Sequence, residues 1–240
     1  MSTPQSPQLL KKSIPTIKIR VWDLPLRLFH WSLLIAVAGL FITAELDEFS
    51  WGDNALQIHF YLGYTVLILL LFRMVWGLVG SRYARFNSFR INPIGAWQTL
   101  KGKPYSPLGH NPLGALSVYA LLTSLSVQVV TGLLSNDSLD TYAPLALKIS
   151  QDTSDLMTQY HKINQKILIA LIATHLLAIA VYHFKYRKPL TRTMITGDIC
   201  TDVCLKPAAA LDNARLRWKA LVILVICIAV VVSIIKNIAI

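Results

Sequence analysis

Five apolar runs, at about residues 28–44, 56–79, 113–134, 159–184 and 218–235, leave this 240-residue chain few ways to fold. Each has roughly the 17–25 residues that a helix needs to cross the hydrocarbon core of a bilayer. Inside lipid, backbone polar groups must be satisfied within the segment, so such runs are expected as helices. Only 15% of the residues are charged, against about a quarter in soluble domains. The expected fold class is therefore all-α, a transmembrane helical bundle with little chain left for a soluble domain. The first run begins late and contains His30, which argues against a cleaved signal peptide.

The net charge of +11 is arranged in a way that bears on topology. Of the 23 Lys and Arg, all but Lys148, Lys162, Lys166 and Lys236 fall before the first run, between the second and third or at the adjoining end of the second (Arg73), or between the fourth and fifth or at the start of the fifth (Lys219). The other gaps hold Glu45, Asp47, Glu48, Asp53, Asp137, Asp140, Asp152 and Asp155. By the positive-inside rule the N-terminus faces the cytoplasm and the C-terminus the outside of a bacterial inner membrane. Nucleic acid as a partner would explain the sum of the charges but not their alternation, so none is expected.

Residues 1–20, with their prolines, serines and lysines, read as an N-terminal cytoplasmic arm, flexible or lying on the surface. Asp23-Leu24-Pro25 and Asn111-Pro112 both read as a capping side chain followed by a first-turn proline. Trp22, Trp31 and Trp51 suit the interfacial aromatic belts. Residues 80–107 are expected as a polar, basic connection and 135–157 as a short ordered loop able to meet an external partner. Cys200 and Cys204 stand four apart in a reducing compartment and make a weak metal site at best, and Cys227 reads as apolar filler. The fifth run has no ionisable residue between Lys219 and Lys236, which predicts a peripheral anchor or partner-binding helix.

Four of the six histidines, His30, His59, His161 and His175, lie within or at the ends of apolar runs. Ionisable side chains at membrane depth are costly and usually functional. His161 and His175 are separated by fourteen residues, about 21 Å of helix and about 40° short of whole turns, so they share a face. Topology then sets His30 level with His175 on the cytoplasmic side, and His59 level with His161 on the outer side. Interhelical hydrogen bonding or simple interfacial placement would suit one histidine alone. Two imidazole pairs at matched depths are the ligand set that holds low-spin b-type haem between helices of a bundle. Two haems so placed, one near each surface, would make a path for electrons across the bilayer.

Arg73 stands fourteen residues after His59, on the same face and level with the inner pair. It suits a haem propionate, which an arginine binds bidentately, or it snorkels to water from the cytoplasmic edge. Gly63, one turn after His59, would admit a flat macrocycle, or would simply pack. His110, at the cytoplasmic surface, could exchange protons with a quinone or have no special role. His183 is rotated away from the face of His175 and reads as a residue closing the fourth helix.

At these residues the chain resembles the bacterial di-haem cytochromes b of the cytochrome b561 type, which include the cytochrome b subunit of nickel–iron hydrogenases. The resemblance lies in Val21-Trp22-Asp23-Leu24-Pro25 with Arg27, Phe29-His30-Trp31, Gln57-Ile58-His59, Trp76-Gly77 and the stretch from Gly80 to Phe86. Gly109-His110-Asn111-Pro112-Leu113-Gly114 and the helix from His161 to His175 also carry it. It implies a di-haem membrane domain of four core helices over residues 21–197; the apolar runs add a cytoplasmic linker at 198–217 and a fifth transmembrane helix at 218–240, which agrees with the longer members of the family. It implies His30, His59, His161 and His175 as axial ligands of two haems b, and electron exchange between quinone and a redox partner. Such a subunit of a respiratory chain would have quinol oxidoreductase activity within its reach. The outer-side partner would be a c-type cytochrome or a hydrogenase-like enzyme. The competing readings are a haem-free transporter relaying metal ions or protons through histidines, and a structural anchor. The transporter would need acids or thiolates at midplane depth, where none of the twelve acids lies.

Overall fold

In the computed structural model, residues 16–45, 53–89, 91–101, 109–136, 142–202 and 208–238 are described. Residues 1–15 of the expected arm, Trp51 and Cys204 lie outside them. Five long helices form the body: α1 (Leu24–Glu45), α2 (Asp53–Val79), α4 (Pro112–Leu133), α5 (Gln151–Phe184) and α7 (Ala214–Ile238). All five are long and apolar enough to cross a membrane. The chain is an all-α transmembrane bundle, as its apolar runs predict. Two short helices, α3 (Pro93–Leu100) and α6 (Leu190–Thr196), and two strands, β1 (Thr16–Arg20) and β2 (Asp198–Asp202), are added at one end.

The helix starts follow from local chemistry. Asp23 Oδ1 accepts from the Leu26 N–H at 2.7 Å, and Pro25 occupies the first turn of α1. Asn111 caps α4 in the same manner, with Pro112 at its first position. Both caps stand where the sequence placed them. Helix α5 begins eight residues earlier than the apolar run, because Ser150 caps it and its first two turns, Gln151–Thr158, are polar. Those turns do not dissolve into loop, since they bond to the chain leaving α4: Asn136 Nδ2 donates to Ser154 Oγ at 2.7 Å, and Ser154 Oγ donates to the Leu134 carbonyl at 2.8 Å.

Lipid gives no hydrophobic force between helices, so close packing has to hold the bundle. Helix α1 packs on α2, α4 packs on α5, and α2 joins the two pairs. Midway along, Ala36, Val66, Leu70, Leu125 and Leu168 form one cluster. Nearer the basic end Leu26, Phe29, Phe72 and Trp76 form another, which Ala220 and Cys227 of α7 join. Helix α7 packs along α2 and touches α1, with most of its surface outward, in keeping with a peripheral helix.

The basic end is more ordered than the sequence suggests. Residues 16–20 are a strand rather than arm, paired antiparallel with β2 inside the expected 198–217 linker. Arg20 bonds to Asp198 at 2.6 Å and to Asp212 at 2.7 Å, and Arg217 closes on Asp212 at 3.0 Å. The Tyr83 hydroxyl donates to the Ala208 carbonyl at 2.8 Å, and Lys219 Nζ to the Val79 carbonyl at 2.9 Å. The connection expected at 80–107 contains α3, started by Asn92 and Pro93. These contacts gather residues 16–22, 79–85, 190–202 and 208–219 at one end of the bundle.

Candidate functional site

The four membrane histidines fall into two groups. His59 of α2 faces His161 of α5, with ring centroids 6.4 Å apart. His30 of α1 and His175 of α5 are within electrostatic reach of each other at the basic end. The pairing is the one expected from spacing and topology, on α1, α2 and α5.

Around the first pair the structure fixes which nitrogen carries the proton. His161 Nδ1 lies 3.0 Å from the Gln128 carbonyl, which can only accept, so Nδ1 is the N–H. Thr43 Oγ1 lies 3.0 Å from His59 Nδ1 and gives its own hydrogen to the Gly39 carbonyl at 2.9 Å, so it too accepts from an Nδ1–H. Both rings therefore keep the Nε2 lone pair for a ligand. At His161 that lone pair meets the Gln128 side-chain amide at 3.1 Å. Gln128 is itself held by Asn164, which bonds back to the Ser124 carbonyl at 2.9 Å. The Nδ1–H partners, Thr43 and the Gln128 carbonyl, orient the imidazoles and raise their basicity toward a metal, whereas the Gln128 side-chain amide would have to turn away from Nε2 for a metal to bind there.

Space around this pair is uneven. A Cβ on Gly132 would sit 2.8 Å from His161 Cε1, so only glycine lets α4 approach the ring this closely. A Cβ on Gly63 would meet nothing within 4 Å, so the helix face beside His59 is open.

The second pair is surrounded by polar atoms that lack partners. His30 Nδ1, Arg73 Nη1 and His110 Nδ1 are buried with no hydrogen-bond partner among the described residues. Arg73 is 2% exposed, so it does not snorkel to water. Its guanidinium lies 4.5 Å over the Phe86 ring, with Asp23 and Tyr119 in electrostatic reach. Asp23 is fully buried, and burial pushes its carboxyl upward against the bonds from Leu26 and Trp76. His183 is exposed beyond this site, and Cys200 is exposed on β2. Among the described residues no three His, Cys, Asp or Glu side chains gather as a metal cage.

Thr43, Gln128, Thr131 and Asn164 were not singled out in the sequence. Their signal is the one that marks the histidines, a polar side chain inside an apolar run. What each one touches depends on helix pairing.

The family model described as prokaryotic cytochrome b561 matches residues 21–197. The chain belongs to that family. This cytochrome is 24% identical over 219 residues to the probable Ni/Fe-hydrogenase B-type cytochrome subunit of Rhizobium leguminosarum bv. viciae, covering 78% of the chain and 91% of that protein. To the corresponding probable subunit of Azotobacter vinelandii it is 27% identical over 212 residues, covering 75% and 87%. With the probable Ni/Fe-hydrogenase 1 B-type cytochrome subunit of Escherichia coli (strain K12) it shares 26% identity over 147 residues, covering 51% and 62%. No solved structure matches it. Membership makes it a membrane cytochrome of electron transfer with b-type haem, and a haem-free ion relay finds no support there.

The residues present fit such a group. The facing rings of His59 and His161, 6.4 Å apart between centroids, would hold a haem iron through imidazole nitrogen, a usual haem ligand. The open face at Gly63 and the partnerless nitrogens of Arg73 and His110 suit a flat, anionic cofactor.

Proposed function

We propose that this chain is a two-haem cytochrome b of the bacterial inner membrane that carries electrons between the quinone pool and a redox enzyme on the outer side. The observation behind it is the facing of His59 and His161 across α2 and α5, with His30 and His175 within electrostatic reach of each other toward the other end of the bundle. His30 and His175 hold one haem toward the cytoplasm, and His59 and His161 hold the other toward the periplasm. Haem, when bound, supplies a one-electron couple, and with an imidazole on each side the iron offers no position to oxygen.

The chain's own residues do the rest. Thr43 and the Gln128 carbonyl hold the outer imidazoles in the Nδ1–H tautomer. The cluster of Ala36, Val66, Leu70, Leu125 and Leu168 fills the space between the two levels and excludes water. Arg73 supplies a fixed cation for a propionate at the inner level. The distribution of Lys and Arg supports a cytoplasmic N-terminus and basic end, and a periplasmic C-terminus. The names of the relatives support a hydrogenase-like enzyme rather than a c-type cytochrome as the outer partner. Quinone is the natural lipid-soluble counterpart for a carrier so embedded.

The purified chain tests this by its reduced-minus-oxidised spectrum and pyridine haemochrome content. Two haems b per chain, both reducible by a quinol analogue, are expected. No haem, or only one, contradicts the proposal.

A further inference from the structure

His110 has no part in the function proposed above, yet the fold holds it firmly beside the inner pair. Gly109 precedes it with φ +94°, a left-handed backbone that favours glycine. Asn111 follows it as the cap of α4, its Oδ1 accepting from the Gly114 N–H at 2.6 Å and its amide bonding to the Tyr182 hydroxyl. The ring is clasped between Trp22, at 4.8 Å, and Phe89, at 4.5 Å between centroids. Phe89 touches Phe86 at 5.9 Å, and Phe86 lies under the Arg73 guanidinium. One run of tilted and edge-on ring contacts thus links His110 to Arg73.

Both ends of that run carry an unmet demand. His110 Nδ1 and Arg73 Nη1 are sealed from water, with no acceptor among the described residues. A buried donor left unpaired is costly, and a buried cation without a hydrogen-bonded anion is more so. None of the ion pairs among the described residues includes Arg73. The Asp23 oxygens already receive the Leu26 N–H and the Trp76 indole. Burial, with Arg73 and His175 nearby, pushes the His110 imidazole down to about 3, so the ring is neutral and has one N–H to give. The Arg73 cation and the neutral His110 ring each keep a buried nitrogen without a partner among the described residues and lie within electrostatic reach of each other, and His110 also reaches His175. Together they are complementary to a carboxylate.

We infer that His110 is a second anchor, beside Arg73, for a propionate of the haem on the His30–His175 side, an inference that rests on the two-haem proposal. An N–H on the propionate offsets negative charge near the iron and favours the ferrous state.

The test is a potentiometric titration of the haem-loaded chain, with haem content counted, for wild type, His110→Ala and His110→Gln. In His110→Ala one haem should become about tenfold harder to reduce at a given ambient potential, a downward shift of about 59 mV for a one-electron couple. The other haem should not move, and His110→Gln, which keeps an N–H donor, should recover most of the shift. Unchanged potentials in His110→Ala overturn the inference. Unchanged potentials with a collapse in affinity for a quinone analogue overturn it as well, and assign His110 to quinone. Should His110→Ala fail to load haem, redox-difference infrared spectra of wild type and His110→Phe, which fills the ring's place without an N–H, decide: shifted propionate carboxylate bands support the contact, and identical bands refute it. A wild-type chain without two haems contradicts the two-haem proposal itself and is told apart by the haem count.

Discussion

Thr43 and His59 meet across the α1–α2 interface at 3.0 Å, and because the threonine proton already goes to the Gly39 carbonyl, the imidazole must be the donor. This bond sets the tautomer of a proposed iron ligand from a different helix. Thr43→Val removes the acceptor and keeps the shape. Partners of this kind are typically worth 10–100-fold in metal affinity or activity. The outer haem should load less completely and titrate at higher potential, since its ligand is less basic, with the inner haem unaltered. A redox titration with haem counting checks this, and wild-type values for both haems would contradict it.

The two glycines near the outer pair should respond differently to an added methyl. Gly132→Ala presses on His161 at 2.8 Å, and overpacking of this kind costs about 1–3 kcal/mol. It should displace the ring and lower both outer-haem content and thermal stability. Gly63→Ala enters open space. It should leave the stability of the haem-free chain unchanged while reducing haem uptake, if a macrocycle lies against that face. Melting curves with and without haem separate the two cases.

Asp23 ties the start of α1 to Trp76 of α2. Loss of the cap in Asp23→Ala costs about 1 kcal/mol, and an orphaned indole N–H about 1–3 kcal/mol more. Asp23→Asn retains an accepting oxygen and should lose much less. Thermal unfolding in detergent should rank wild type above Asn and Asn above Ala, and an equal loss in both would place the effect elsewhere.

Acid should loosen the basic end at Asp212. Burial alone would raise this carboxyl, but the Arg217 hydrogen bond, the Leu24 N–H and the charges of Arg217 and Arg20 outweigh it and hold the group below its ordinary value of 3.8. A carboxyl with a lowered folded value contributes stability that is present above its unfolded value and lost as pH falls through the folded one. Amide protection at the start of α7, corrected for the intrinsic exchange rate at each pH, should therefore be flat above about pH 5 and fall as pH drops below 3.8. Asp212→Asn should exchange faster at neutral pH and lose this dependence. The same acid response in the variant would point to another group.

Much of this architecture is legible in the residues. The four histidines stand out because imidazole in an apolar run needs a reason, and helical spacing then sets their depths. Asp23 and Asn111 announce their helices because a cap and its proline are neighbours in sequence. The β1–β2 ribbon is not legible in this way, since Arg20 and Asp198 are 178 residues apart and neither strand is long enough to signal itself. The first turns of α5 are missed because Gln151–Thr158 are mostly polar and find their partners, Asn136 and the Leu134 carbonyl among them, on the preceding chain. Gln128 is visible as a polar residue at membrane depth, but its bond to His161 depends on α4 lying beside α5.

The central claim is that His59 acts with His161, and His30 with His175. The most direct measurement is the haem count, with EPR of the remaining low-spin signal, in the four single His→Ala variants. The account predicts two phenotypes: His59→Ala and His161→Ala lose the same signal, and His30→Ala and His175→Ala lose the other. A different grouping, or retention of both signals in any one variant, would contradict it.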